Sequence, residues 1–257
     1  MRSFMTFALE DFPLIKAEDD LTRIIVETAR KNDLKLEDGD VIVIAQKIIS
    51  KAEKRIINLT EVVPSERSKE IAEMTGKSPK FVEMILRETN RILKVTRDIF
   101  LVEDKRGLVC INAGIDKSNV KGRENFALLP KNPDESARNC RSEIRKLTGK
   151  DVAVIVCDTY SRPFRRGQVN FAIGIAGIKP FKDYRTKKDL FGQILKVKNV
   201  AVVDEIAAAA ELVMGQAQEA TPVVVLKGLS DVVELCEECS ISELHISSEE
   251  DLFKNTL

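Results

Sequence analysis

Four unbroken apolar runs stand out in an otherwise polar chain. They are "VIVIA" from Val41, "VAVIVC" from Val152, "FAIGIA" from Phe171 and "VVVL" from Val223. Runs this short, closed by polar residues or glycine, predict strands covered on both faces. The first is read as a strand from about Asp40, followed by a turn and a second short strand near Arg55. A gentler alternation in "DIFLVEDKRGLVCINAG" predicts a hairpin around Asp104 to Gly107.

Other segments carry the helical period and its boundary residues. "SERSKEIAEM", after Pro64, suits a helix. "SPKFVEMILRETNRIL" predicts another, with Ser78 as its cap and Pro79 in its first turn. In "NPDESARNCRSEIRKLTG", Asn132 caps, Pro133 opens, Asp134 and Glu135 favour the positive end of the dipole, and Gly149 stops the helix. Its core face is expected to be Ala137, Cys140, Ile144 and Leu147. "VKNVAVVDEIAAAAELVMGQ" reads as a strand running into a helix that ends at Gly215. Strands and helices interleave without repeat, linker or low-complexity stretch. The expected fold class is α+β, with mixed or antiparallel sheets, in one unit, a division into two lobes being the alternative, with a polar tail after about residue 229.

Composition narrows the function classes. The 257 residues are 44% hydrophobic and 32% charged, enough apolar surface for a sizeable core. Forty-one basic residues balance forty-one acidic ones, which disfavours general nucleic-acid binding, as do the few aromatics. The N-terminus shows no signal-peptide pattern, and no apolar run approaches the roughly 18 residues of a spanning helix. Five cysteines without framework spacing fit a reducing cytoplasm, so Cys236 and Cys239 in "CEEC" are expected as ordinary thiols. The single histidine, His245, is expected to be solvated.

Candidate chemistry lies where apolar runs end in polar residues. "NAGIDKSNV" offers Asn112, Asp116 and Asn119; "CDTYSRPFRR" offers Asp158, Thr159, Arg162, Arg165 and Arg166; "MGQAQEATP" offers Gly215, Gln216 and backbone amides. Carboxylate, hydroxyl and amide oxygens suit hard cations such as magnesium. Guanidinium forks suit phosphate or carboxylate, and Lys47 and Lys51 could reach the same phosphates. Neither a GxxxxGK[ST] loop nor a GxGxxG after a strand is present. Pattern alone therefore stops at a metal–phosphate site, against the plainer alternative of cap residues and a solvated arginine loop.

The ordered set of segments goes further. "GDVIVIAQKIISKAEKR", "CINAGIDKSNV", "LLPKNPDESA", "VIVCDTYSRPFRRGQVNFAIGIAG", "DEIAAAAELVMGQA" and "TPVVVLKGL" together resemble the coenzyme F-420 gamma-glutamyl ligase family, CofE. The resemblance implies a GTP-dependent ligase that adds L-glutamate to F-420-0, then a second glutamate through a gamma-linkage. It implies magnesium or manganese, help from potassium, and an intertwined homodimer with a CofE-like fold. Carried over residue by residue, Asp116, Asp158, Thr159 and Gln216 match the family's metal positions. Phe12, Pro13, Leu14, Ile15, Gln46, Lys47, Lys51 and Asn119 match its nucleotide positions, as do Met214, Gly215, Gln216, Ala217, Gln218, Glu219, Ala220 and Thr221. The three arginines are assigned by physical argument to phosphate or substrate carboxylate.

An acyl phosphate is the expected intermediate, because a carboxylate must be activated before an amine can displace its oxygen. No residue is singled out as the general base. Lys54 and Ser161 stand where the family usually has glycine, and Gln216 is neutral where a glutamate can serve. The alternatives are a ligase of the same fold with a different acid acceptor, and a regulator that binds GTP or metal without ligase activity.

Overall fold

The computed structural model describes residues 1–97, 99–247 and 249–251. Asp98, at the start of the predicted hairpin, and Ser248 and residues 252–257 of the predicted tail lie outside them. The chain opens with β1 (Met5–Ala8), α1 (Leu21–Lys31), β2 (Val41–Ala45) and α2 (Gln46–Ala52). It continues with β3 (Ile56–Asn58), α3 (Glu66–Thr75), α4 (Pro79–Glu88), β4 (Thr89–Val95), β5 (Phe100–Asp104), β6 (Val109–Ile111) and β7 (Asn125–Ala127). Then come α5 (Pro133–Thr148), β8 (Ala153–Arg162), β9 (Arg165–Ala176), β10 (Lys182–Asp183), β11 (Asn199–Val200), α6 (Val202–Met214) and β12 (Val223–Lys227). The architecture is α+β. Two compact units share the chain: Met1–Ala52 with Asn132–Leu244, and Glu53–Lys131 with the segment from His245.

The first unit is built on a five-stranded sheet in the order β1-β12-β2-β8-β9. Its β2–β8 pair is parallel and its other pairs are antiparallel. The apolar runs are explained by burial on both sides: Val41 to Ile44, Val154 to Val156 and Val223 to Leu226 have no exposed surface. On one face, Val203, Ile206, Ala207 and Ala210 of α6 pack against Val43, Ile155 and Leu226. The small alanines let the helix sit close to the sheet. The other face is covered by α5, with α1 packed beside it. As predicted, Asn132 accepts a hydrogen bond from Glu135 N (3.2 Å), and Gly149 closes α5 in the left-handed region (φ 71°).

One irregularity fixes the outer sheet. Between Val156↔Gly174 and Cys157↔Ala172 the register shifts, leaving Ile173 as an extra residue in β9. Two carboxylates serve the backbone around this bulge. Asp204 Oδ1 on α6 accepts from Ala172 N (3.0 Å), and Asp134 Oδ1 on α5 accepts from Ile175 N (2.7 Å). The buried Asp134 also accepts from Ser240 Oγ (2.7 Å) and Ile241 N (3.1 Å). Gly174 permits the approach of α5, since a Cβ there would lie 2.4 Å from the Pro133 carbonyl carbon.

In the second unit β3 pairs with β7, and β4, β5 and β6 form an antiparallel sheet. Its core includes Val82, Met84, Ile85, Phe100 and Val102. Arg106 donates to Asp104 (2.7 Å) and Glu88 (3.1 Å), and Arg55 donates to Glu88 (2.7 Å). The paired charges are thus compensated where they are buried.

Several sequence expectations are corrected. The turn after β2 is the helix α2, which buries Ile48 and Ile49 and links Ser50 Oγ to Gln46 Oε1 one turn back (2.9 Å). The helix predicted from Ser78 to Leu93 stops at Glu88. Thr89 turns extended (ψ 135°), and its β-branched successors pair with β5. Ser78 precedes α4 without a side-chain cap bond. Cys236 and Cys239 form a disulfide, their Cα atoms 5.8 Å apart and so within bridging range. His245 is half-buried against Gly107, and its Nε2 has no hydrogen-bond partner among the described residues. The predicted tail packs instead: Leu229 and Ile241 are buried, and Glu237 receives two bonds from Arg141.

Residues Tyr184 to Lys198 form an arm between β10 and β11, closed by Tyr184 N→Lys198 O (3.0 Å) and Thr186 N→Leu195 O (2.8 Å). Leu190, Phe191 and Val197 on it are almost fully exposed. No helix of the described residues is long and apolar enough to cross a membrane. Replacing Asp134 by alanine strands buried donors beside the β9 bulge. Urea unfolding of Asp134→Ala is expected to show a loss of about 3 kcal/mol at unchanged m-value.

Candidate functional site

The sequence placed Asp158 and Thr159 just after a strand, but β8 continues through them to Arg162. The strand is apolar to Cys157 and polar beyond because its outer half, paired with β9, leaves the core. Pro163 and the positive-φ Phe164 (58°) form the tip, and Gly167 (φ 87°) takes a second irregularity between Ser161 and Arg162. Arg162 is half-buried, with its Nε enclosed and unpartnered among the described residues, whereas Arg165 and Arg166 are exposed.

Side chains alternate along β8, so Asp158 and Thr159 face opposite sides of the hairpin. Thr159 lies across from Asn170, and Asp158 across from Phe171. On the Thr159 side the C-terminus of α6 completes a polar cluster. Thr159 Oγ1 lies 2.9 Å from Gln216 Oε1 and 2.9 Å from Asn170 Oδ1. Gln216 Nε2 donates to Asn170 Oδ1 (3.2 Å) and Glu211 Oε1 (3.1 Å). Asn170 is 3% exposed, and its Nδ2 faces Cys157 Sγ (3.6 Å) and Met214 Sδ (3.9 Å). Burial first, then the neighbouring Asp158 charge and, more weakly, Glu211, push the Cys157 thiol well above its ordinary range. It is a packing thiol and not a nucleophile.

The loop after α6 wraps around a carboxylate. Glu219 Oε2 accepts from Ala217 N (2.7 Å), and a Cβ at Gly215 (φ 69°) would lie 2.4 Å from Glu219 Cδ. Hydrogen bonds from its own amide and that of Ala217, with those of Gln218 and Gln216 behind them, hold the Glu219 carboxyl below the usual range. Thr221 Oγ1 donates to Met214 O (2.8 Å), and Ala220 adopts a left-handed φ of 56°. Gln218 is exposed.

In α2, Gln46 is buried, while Lys47 and Lys51 are half-buried and one turn apart. Burial, then the Lys47 charge, lowers the Lys51 pKa. The "FPLI" stretch divides: Phe12 and Ile15 join the core, and Pro13 and Leu14 are exposed.

Asp116 and Asn119 belong to the second unit. Asp116 bridges to Ala127 through both backbone groups (3.0 and 2.8 Å), and its carboxylate accepts from Ser118 N (2.9 Å) and from Ser118 Oγ. Asn119 is exposed in the left-handed region (φ 53°). The preceding turn holds Asn112, Ala113 and Gly114 all at positive φ.

The first unit thus brings together Thr159 and Gln216, and it adds Asn170 and Glu211, which the sequence reading did not single out. One signal was present: Asn170 is an amide within the alternation of "VNFAIG", at a position facing the core. Every donor in the cluster is a hard oxygen, the class that suits magnesium or manganese. Among the described residues no group of three or more His, Cys, Asp or Glu side chains is placed to hold a metal. One or two carboxylates with neutral oxygens remain a fitting set, because magnesium keeps water and substrate phosphate oxygens in its shell.

A family model described as F420-0:Gamma-glutamyl ligase matches residues 11–228. The chain is 46% identical over 251 residues to the coenzyme F420:L-glutamate ligase of Archaeoglobus fulgidus, covering 98% of this chain and 96% of that protein. To the Methanothermobacter thermautotrophicus protein of the same name it is 46% identical over 221 residues, 86% of this chain and 87% of that one. The Methanocaldococcus jannaschii protein, also so named, is 50% identical over 194 residues, 75% and 77% of the two chains.

Glu219 gives a pH test of the loop. Its folded pKa is depressed, so its hold on the loop is present at neutral pH and lost as pH falls through that lowered value. The amide signal of Ala217, followed by NMR, is expected to titrate with a midpoint below the ordinary 4.5 and to lose that transition in Glu219→Gln.

Proposed function

We propose, from the premise that the chain belongs to the F420-0:gamma-glutamyl ligase family, that it is a GTP-dependent ligase of coenzyme F420 biosynthesis. Its substrates in this reading are F420-0, L-glutamate and GTP, and a second glutamate follows the first through a gamma-linkage. The observation that carries the nucleotide part is the pairing of two half-buried lysines with an oxygen cluster in the same unit. Lys47 and Lys51 crowd two ammonium groups onto one turn of α2, and burial lowers the Lys51 pKa. A bound triphosphate offsets the burial of Lys51 and the like charge of Lys47 beside it, because its oxygens are anionic.

The residues divide the work. Lys47 and Lys51 bind phosphate oxygens, with Gln46 fixed beneath them by Ser50. The loop from Met214 to Thr221 lies against the nucleotide, and exposed Pro13 and Leu14 offer an apolar contact for the base. Asn119, exposed on the second unit, is that unit's candidate for nucleotide contact. In the first unit Thr159 and Gln216 would hold magnesium or manganese, with Asp158 offering a carboxylate to a cation on the opposite side of the hairpin; Asp116 is the second unit's own candidate cation ligand, and potassium is a further cation. The bound metal supplies charge neutralisation at the phosphate oxygens. Arg162, Arg165 and Arg166 hold the substrate carboxylate or the transferred phosphoryl group.

Chemistry proceeds by two displacements. A carboxylate oxygen of F420-0 attacks the γ-phosphorus of GTP, the bond to the β–γ bridging oxygen breaks, and GDP leaves. The neutral amine of glutamate then attacks the acyl carbon, phosphate departs with the electron pair, and the nitrogen gives up a proton. Positioning and charge stabilisation carry the catalysis, without a cysteine or histidine nucleophile. The active form is a homodimer. The exposed apolar arm from Tyr184 to Lys198 supports this, because a row of uncovered Leu190, Phe191, Ile194 and Val197 gains from a partner surface.

Mass spectrometry of F420-0 incubated with the protein, glutamate, GTP and magnesium should show one or two added glutamyl units, lost when GTP is omitted. No addition with GTP still bound would move the acceptor to another acid, or make the chain a regulator. Asp158→Asn should abolish turnover in a folded protein, and Lys51→Met should raise the KM for GTP about tenfold. Sedimentation should give a dimer, and a folded monomer at working concentration would remove that part of the reading.

A further inference from the structure

We infer that Asn170 is a positioning residue that takes the hydroxyl hydrogen of Thr159 and locks the amide of Gln216, so that both oxygens face a cation together. The inference rests on the metal-dependent ligase reading above. Asn170 is 3% exposed and lies behind the cluster, so it acts through its neighbours and not on a ligand.

Thr159 has one hydroxyl hydrogen but two oxygens at 2.9 Å, Asn170 Oδ1 and Gln216 Oε1. Gln216 Nε2 has two hydrogens, and both are used, on Asn170 Oδ1 (3.2 Å) and Glu211 Oε1 (3.1 Å). The Gln216 amide is therefore held with its oxygen toward Thr159. Asn170 is held in turn. Flipping it would set its NH2 against the NH2 of Gln216, which Glu211 holds in place.

Two arrangements of one hydrogen follow. When the Thr159 hydroxyl points at Gln216, it covers the amide oxygen. When it points at Asn170, Thr159 Oγ1 and Gln216 Oε1 both present lone pairs outward. Asn170 is the acceptor that makes the second arrangement available on the buried side of the cluster. Without it, the hydroxyl hydrogen goes to Gln216 and the two oxygens no longer serve a cation at once. Partners of this kind typically change metal affinity by about 10–100-fold.

The test uses the full chain and Mn2+ as probe, titrated calorimetrically with and without GDP. Asn170→Leu, similar in shape but unable to accept a hydrogen bond, is expected to weaken Mn2+ binding about tenfold. It should raise the magnesium needed for half-maximal ligation by a similar factor, with kcat at saturating magnesium within about threefold of wild type. Asn170→Asp, which keeps the acceptor, should bind Mn2+ at least as tightly as wild type. If Asn170→Leu does not fold, as judged by its melting in EDTA, Asn170→Ala is measured with the same expectation. Unchanged Mn2+ affinity in the Leu or Ala variant overturns the inference and leaves the ligase reading standing. Equal weakening in Asn170→Asp also overturns it, since accepting a hydrogen bond would then not be what matters. A wild-type protein that binds no Mn2+ in either condition overturns the inference together with the metal part of the reading.

Discussion

The single extra residue in β9 sets the geometry of the first unit. Side chains in a strand alternate, so inserting Ile173 reverses which face every residue beyond it occupies. Ile175 and Ala172 both reach the α6 side only because the bulge lies between them. Asn170, two residues further, then faces α6 as well. A regular ladder would turn Asn170 to the Asp158 side and leave Thr159 and Gln216 without their shared partner. The bulge disturbs the ladder, and the cost is met by Asp204 from one helix and Asp134 from another. Two helices on opposite faces of the sheet are thereby tied to one point of the hairpin.

The same hairpin joins core to chemistry without a change of element. Its inner half is buried on both faces, and its outer half carries Asp158, Thr159 and the three arginines. The cluster is therefore seated on a rigid strand pair, and its depth is set by where the apolar alternation ends. At that border Asn170 faces two sulfurs on its inner side and two polar partners on its outer side. The residue marks the boundary between packing and hydrogen bonding.

Much of this was legible in the residues. Inner strands announced themselves because burial on both faces leaves no polar position. The α5 boundaries were written in Asn132, Pro133 and Gly149. The α2 helix was hidden because two adjacent isoleucines after a strand give no clear period, and its order comes from packing and the Gln46–Ser50 bond. The overlong α4 failed where Thr89 and Val95 found partners in β5, a pairing set by tertiary contact. The CxxC disulfide was hidden because the spacing shows neither backbone path nor sulfur separation. Within the site, the sequence named Thr159 and Gln216 but not the amide that orders them. A buried Asn reads as one polar residue among apolar ones until its neighbours are known.

The order of segments along the chain has a kinetic consequence. The central parallel pair sets Val41 beside Ala153, and the whole of β3 to β7 lies between them in sequence. The second unit's pairings are mostly between near neighbours, such as β4 with β5 and β5 with β6. Loop closure makes distant pairings slow, so the first unit's sheet must wait for a long segment to contract before β8 finds β2. An intervening unit that condenses early shortens that effective loop. The sheet that carries the oxygen cluster would then be the last part of the molecule to assemble and, during synthesis, the part most dependent on the segment made before it.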